Sequence, residues 1–209
     1  MNWSTRTLFG FFAVLAVACI GLVGAGLKTI RTRPATADEL GRFVNSVNLT
    51  RLSGPERAAA LFKLQERVNA LTLEERRKWW LSGEWRKWFE VMTETEKGQY
   101  IDATLPTGFK QVLNAFGRLP DDARSRAIDE AMRKLKATHR LVTDHEPGHA
   151  ESMYGTNPPP VLSPELENRA RMVGFKTFYV ESSAQTKAEL APLVEELQHE
   201  LEPGSHAGQ

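Results

Sequence analysis

Cysteine is almost absent from this chain. Its 209 residues include one, Cys19, and that one lies inside an apolar run. The rest of the chain therefore has neither a disulfide nor thiol chemistry. This suits a cytoplasmic domain and does not exclude a periplasmic one. The sequence also lacks G-x-S-x-G, a Walker-type glycine loop and a dinucleotide fingerprint, so the usual signals of serine hydrolases, P-loop enzymes and nicotinamide enzymes are missing. A dominant charge is lacking too, with 27 Lys+Arg against 26 Asp+Glu. Arg6, Lys28, Arg31 and Arg33 are the only charged residues before residue 35, which leaves 23 basic and 26 acidic residues beyond it, a net −3. A body of that charge does not attract nucleic acid as a whole.

Residues 8–27, LFGFFAVLAVACIGLVGAGL, contain no charge. About twenty apolar residues are what a helix needs to cross a hydrocarbon core, and a helix satisfies its own backbone there. The expectation is a single transmembrane helix after a tail of residues 1–7. Trp3 suits the interfacial belt, and residues 28–35 form a basic juxtamembrane linker closed by Pro34. Lys28, Arg31 and Arg33 outweigh Arg6 and the amino terminus, which favours a cytoplasmic soluble domain. The competing reading is a cleaved signal, for which Val23-Gly24-Ala25 has the small-residue pattern. A lipoprotein role for Cys19 fits poorly, because apolar residues continue after it. Gly21 and Ala25 form a small-xxx-small pair that could join two helices.

Residues 36–141 read as a helical domain of short amphipathic helices. Thr36/Glu39, Ser53/Glu56, Thr72/Glu75 and Thr93/Glu96 have capping-box spacing, and Pro55 suits a first helical turn. Leu40, Phe43, Val44 and Val47 share one face, as do Leu61, Leu64 and Val68, and Phe109, Val112, Leu113 and Phe116. Pro106 is expected to end one helix, with Thr107-Gly108 opening another and Gly117 stopping it. The next helix starts at Pro120-Asp121-Asp122 with the stripe Ile128, Ala131, Met132 and Leu135. Residues 142–162 carry Pro and Gly without an apolar period and read as a loop, with Pro158–Pro160 extended. A C-terminal helical pair occupies 163–203, starting at Ser163-Pro164. Pro192 predicts a kink or a later start in the last helix, and residues 204–209 form a mobile tail. The fold class expected is all-α.

Residues 76–92, RRKWWLSGEWRKWFEVM, hold four of the five tryptophans. Leu81, Trp85, Trp88, Phe89 and Met92 fall on one helical face, and Ser82-Gly83 can break the helix. Three readings follow for Trp79–Trp88: a core helix with basic stems snorkelling around it, a headgroup-level helix, or a platform on which nucleic-acid bases stack.

His145-Glu146-Pro147-Gly148-His149 matches H-E-x-x-H. That pattern works when a helix brings both imidazoles to one face of a zinc ion. Pro and Gly at its centre oppose the helix by about 3 and 1 kcal/mol. A third ligand would have to be Asp144, Glu165 or Glu167. Solvated linker is the default reading. Asp102 and Asp129 have no evident carboxylate partner. Ser182, Ser183 and Lys187 could form a Ser/Lys pair, although helix capping explains the serines more simply.

Leu52-Ser53, Leu71-Thr72 and Met92-Thr93 introduce helix starts at roughly twenty-residue spacing. In style, residues 52–96 resemble small periplasmic helical proteins of the stress-chaperone kind, and no residue role follows from that resemblance. Taken together, the residues point to a membrane-anchored helical interaction or scaffold protein with no catalysis. The bilayer and unidentified proteins are its expected partners, and no cofactor or metal is expected. A membrane-surface sensor acting through residues 76–92 is the alternative, and a zinc hydrolase using 145–149 is a further one.

Overall fold

The computed structural model describes residues 35–143 and 162–201. Among them the chain is all-α, with α1 (Ala37–Ser46), a 3-10 turn (Leu49–Arg51), α2 (Gly54–Asn69), α3 (Leu73–Ser82), α4 (Arg86–Phe89), α5 (Glu94–Gly117), α6 (Asp121–Thr143), α7 (Pro164–Glu181) and α8 (Ala184–Leu201). The expected transmembrane segment 8–27, the H-E-x-x-H pattern and the tail 204–209 lie outside the described residues. Among those described, no helix is long and apolar enough to cross a membrane.

Local capping chemistry sets most helix starts. Thr36 and Glu39 form a complete box on α1. On α5, the Thr93 N–H donates to Glu96 and the Glu96 N–H to the Thr93 hydroxyl. Each box satisfies two backbone donors that have no intrahelical acceptor. The other two depart from expectation. Thr72 caps α3 by accepting from the Glu75 N–H, but the Glu75 carboxylate turns instead to Ala37 and Lys78. Ser53 makes no side-chain cap bond, and α2 starts with Gly54 at φ 51° and Pro55 in its first turn. Proline there gives up a donor that would have had no partner anyway.

Two prolines fail to do what the sequence suggests. Pro106 lies inside a continuous α5 and Pro192 inside a continuous α8. An interior proline removes one i to i−4 bond. The carbonyls left without that donor belong to Asp102 and Ala188, both exposed residues that water can reach. Burial of Ile101, Phe109 and Val112 holds α5 together across the gap. Residues 171–180 lie within α7, as expected of the C-terminal helical pair, while α6 continues past residue 141 to Thr143.

The chain forms two compact units. Of the described residues, the first contains 35–112 and 162–177. Its core is built on Leu40, Val44, Leu49, Leu64, Leu71, Trp79 and Trp88. Here α1 and α3 run in the same direction: Ala37 meets Glu75 at one end and Asn45 meets Glu84 at the other. Two polar clamps fasten α7 to α5, Ser163 to Glu94 at 2.7 Å and Arg169 to Asp102 at 2.9 Å. Between these clamps lies Gly98, where a Cβ would come within 2.7 Å of the Arg169 guanidinium.

The second unit contains 113–143 and 178–201. Ala123, Ala127 and Ala131 line the buried side of α6, and α8 contributes Leu190, Leu193 and Leu197. Small residues on one helix and leucines on the other let the two interdigitate closely. Arg124 fixes their register by donating to Glu189 at 2.8 Å, to Asp121 at 2.6 Å and to the Leu119 carbonyl at 2.7 Å.

Candidate functional site

The tryptophan segment is where sequence and structure meet most directly. Helix α3 ends because Gly83 adopts φ 70°, a left-handed conformation that costs other residues about 1 kcal/mol or more. Its N–H closes on the Trp80 carbonyl at 3.3 Å. Ser82 strengthens the stop, donating to the Trp79 carbonyl and accepting from the Glu84 N–H.

This turn folds Trp85 back onto Trp80. Their rings stack 4.5 Å apart with planes 8° from parallel, and the Trp85 indole N–H donates to the Trp80 carbonyl. The aromatic chain continues edge-to-face through Phe89 to Tyr100, at 5.7 and 6.1 Å. On another side Trp88 meets Phe43 at 5.3 Å and donates its N–H to the Val44 carbonyl at 3.1 Å. Arg67 covers the Phe43 ring at 4.5 Å. These geometries add about 0.5–1.5 kcal/mol per pair to the burial of the rings.

Trp79, Trp85 and Trp88 are therefore core residues, and Trp80 is half-buried. Leu81 does not join their face. It is 57% exposed, because the break at Gly83 puts it on the outer side of α3 while Trp85, Trp88, Phe89 and Met92 turn inward. Three buried indoles offer neither a headgroup layer nor a nucleic-acid base a surface to contact.

The basic residues of the segment divide in two. Arg77 and Lys78 point outward beside Glu74 and Glu75. Arg76 turns inward and donates to the Val68 carbonyl at 2.8 Å, Gln111 at 3.0 Å and the Thr104 carbonyl at 3.4 Å. Val68 is in the last turn of α2, so this cation sits at the negative end of a helix dipole. Burial pushes the Arg76 guanidinium below its ordinary value, and burial pushes the Tyr100 hydroxyl up. Gln111 completes the knot by donating to the Leu71 carbonyl.

No family model matches this chain, and no curated protein or solved structure is significantly similar to it.

The remaining sequence candidates are placed as follows. Asp102 pairs with Arg169, a partner 67 positions away that no local pattern announces. Ser183 caps α8 by accepting from the Thr186 N–H at 3.0 Å. Ser182 is buried and Asp129 exposed. Glu165 is exposed near the start of α7, while Glu167 is buried. His145, His149 and Asp144 lie outside the described residues. Among those described, no group of three His, Cys, Asp or Glu residues could hold a metal ion.

Sequence reasoning missed the clamp between Arg57 and Glu96. The guanidinium grips both carboxylate oxygens, at 2.6 and 2.8 Å, and donates as well to the Leu49 and Val91 carbonyls. One cation thus ties the 3-10 turn, the segment after α4 and the start of α5 to α2. Its bonds, led by that of Arg57, hold the Glu96 carboxyl at about 2.

Proposed function

We propose that the protein is a membrane-anchored helical module that binds or scaffolds other proteins and performs no catalysis. The observation that carries this reading is the uncharged run 8–27 placed ahead of a capped helical body. Lys28, Arg31 and Arg33 after that run favour a cytoplasmic body. Two of the polar side chains weighed for chemistry have structural work: Asp102 holds α7, and Ser183 caps α8. Exposed Phe62 on α2 gives the body an apolar point for a partner.

The test is alkaline carbonate extraction of the full chain, together with a reporter fused after Gln209. The chain is expected in the membrane pellet with the reporter on the cytoplasmic side. Release into the supernatant would overturn the anchor, and an extracytoplasmic reporter would overturn the orientation. Hydrolytic activity of the purified chain that disappears in His145→Ala or His149→Ala would overturn the non-catalytic reading.

A further inference from the structure

Helix α2 is apolar on two sides. Leu61, Leu64 and Val68 are buried in the first unit. The side turned away from them carries Pro55, Ala58, Ala59 and Phe62, all exposed, with Phe62 at 60%. A surface helix ordinarily places polar residues there. On one edge of this face stand Glu56 and Lys63, about two helical turns apart. Glu66 lies near its far end. All three are exposed, and among the described residues they enter no ion pair.

This face is complementary to itself. Glu56 and Lys63 are equidistant from the midpoint between Ala59 and Ala60, and so are Ser53 and Glu66. Consider two antiparallel copies of α2 related by a two-fold axis at the level of that midpoint, normal to the plane of the pair. Glu56 then falls opposite the partner's Lys63, and Lys63 opposite the partner's Glu56. Both ion pairs lie on one edge, because this rotation keeps each edge on its own side. On the other edge Phe62 comes down beside the partner's Ala58. Glu66 meets the partner's Ser53, which makes no side-chain cap bond and marks the positive end of that helix dipole.

We propose that the outer face of α2 is a self-association surface, which pairs antiparallel with the same face of a second copy of this chain. This rests on the reading of the body as a protein-binding module and names one partner for it. It does not depend on the anchor. The 16 residues of α2 rise about 24 Å. One helix pair of that length covers less than the ~1,200 Å² of a standard complex, so the association is weak and reversible. A contact between identical faces closes at two copies and leaves neither face open to a third.

Sedimentation equilibrium of the full chain, in a large excess of density-matched detergent micelles, measures the association. A monomer–dimer equilibrium is expected. Glu56→Lys and Lys63→Glu each set like charges against one another at both ion pairs, and each is expected to weaken the dimer about tenfold or more at low salt. An equimolar mixture of the two variants brings opposite charges together again and is expected to recover the dimer, as is the chain carrying both changes. Phe62→Ser is expected to leave the chain monomeric. The three positions are exposed, so the fold is kept, and tryptophan emission in urea checks that it is. A native chain that stays monomeric would overturn the proposal. So would association that the α2 variants leave unchanged, or a mixture that fails to dimerise. None of these results bears on the anchor, which carbonate extraction tests separately.

Discussion

Glu96→Gln tests the clamp that holds the first unit together. The Glu96 carboxyl titrates at about 2 in the folded chain against an ordinary 4.5. That gap is worth about 3.4 kcal/mol at neutral pH if taken whole. The side chains of both partners retain 18% of their accessible surface, and solvent screening brings the figure to about 1–2 kcal/mol. The sign follows from the direction of the shift. A depressed carboxyl contributes stability above its unfolded value, and that contribution is lost as pH falls from 4.5 towards 2. Glutamine keeps an oxygen for the Thr93 N–H and loses the charge that Arg57 grips. Urea denaturation of the full chain, followed by tryptophan emission, reads the difference, because Trp79, Trp85 and Trp88 are buried in the same unit. At pH 7 the variant is expected to be less stable by about 1–2 kcal/mol. The deficit should fall by more than half at about pH 3 and nearly vanish at about pH 2. A deficit that stays constant with pH, or no deficit at pH 7, would refute the role assigned to the charge.

Three further outcomes are expected. Gly83→Ala forces a Cβ into the left-handed turn after α3 and should lower stability by about 1 kcal/mol, with Gly83→Asn costing less in the same denaturation assay. Trp88→Phe keeps an aromatic ring in a site only 2% exposed but leaves the Val44 carbonyl without its donor. A loss of about 1–3 kcal/mol in urea denaturation is expected, and a larger loss in Trp88→Ala. In the second unit, Arg124→Ala removes the donor shared by Glu189, Asp121 and the Leu119 carbonyl, and hydrogen exchange should quicken in α6 and α8 more than in α1–α3.

The sequence alone determined where most helices start and stop. Thr36, Thr72 and Thr93 cap the residues that follow them, Pro164 opens α7, Gly83 closes α3 in a left-handed conformation, and α5 runs as far as Gly117. Each of these choices is settled by groups within about four positions, the range over which a side chain can satisfy a nearby backbone donor or a glycine can relieve a backbone strain. The all-α class follows from the same signals. Tertiary structure decided what local rules could not. Pro106 and Pro192 stay inside helices because packing elsewhere on each helix outweighs one missing bond, and the freed carbonyls sit on exposed residues. The facing of the tryptophans depended on the turn at Gly83, which splits one apparent stripe into an exposed Leu81 and buried Trp85 and Trp88. Arg57 with Glu96, 39 positions apart, and Asp102 with Arg169, 67 apart, meet only when their helices pack. A charge in a sequence declares what it can bond, and the fold supplies the partner, because its reach is a few ångströms in space and unlimited along the chain.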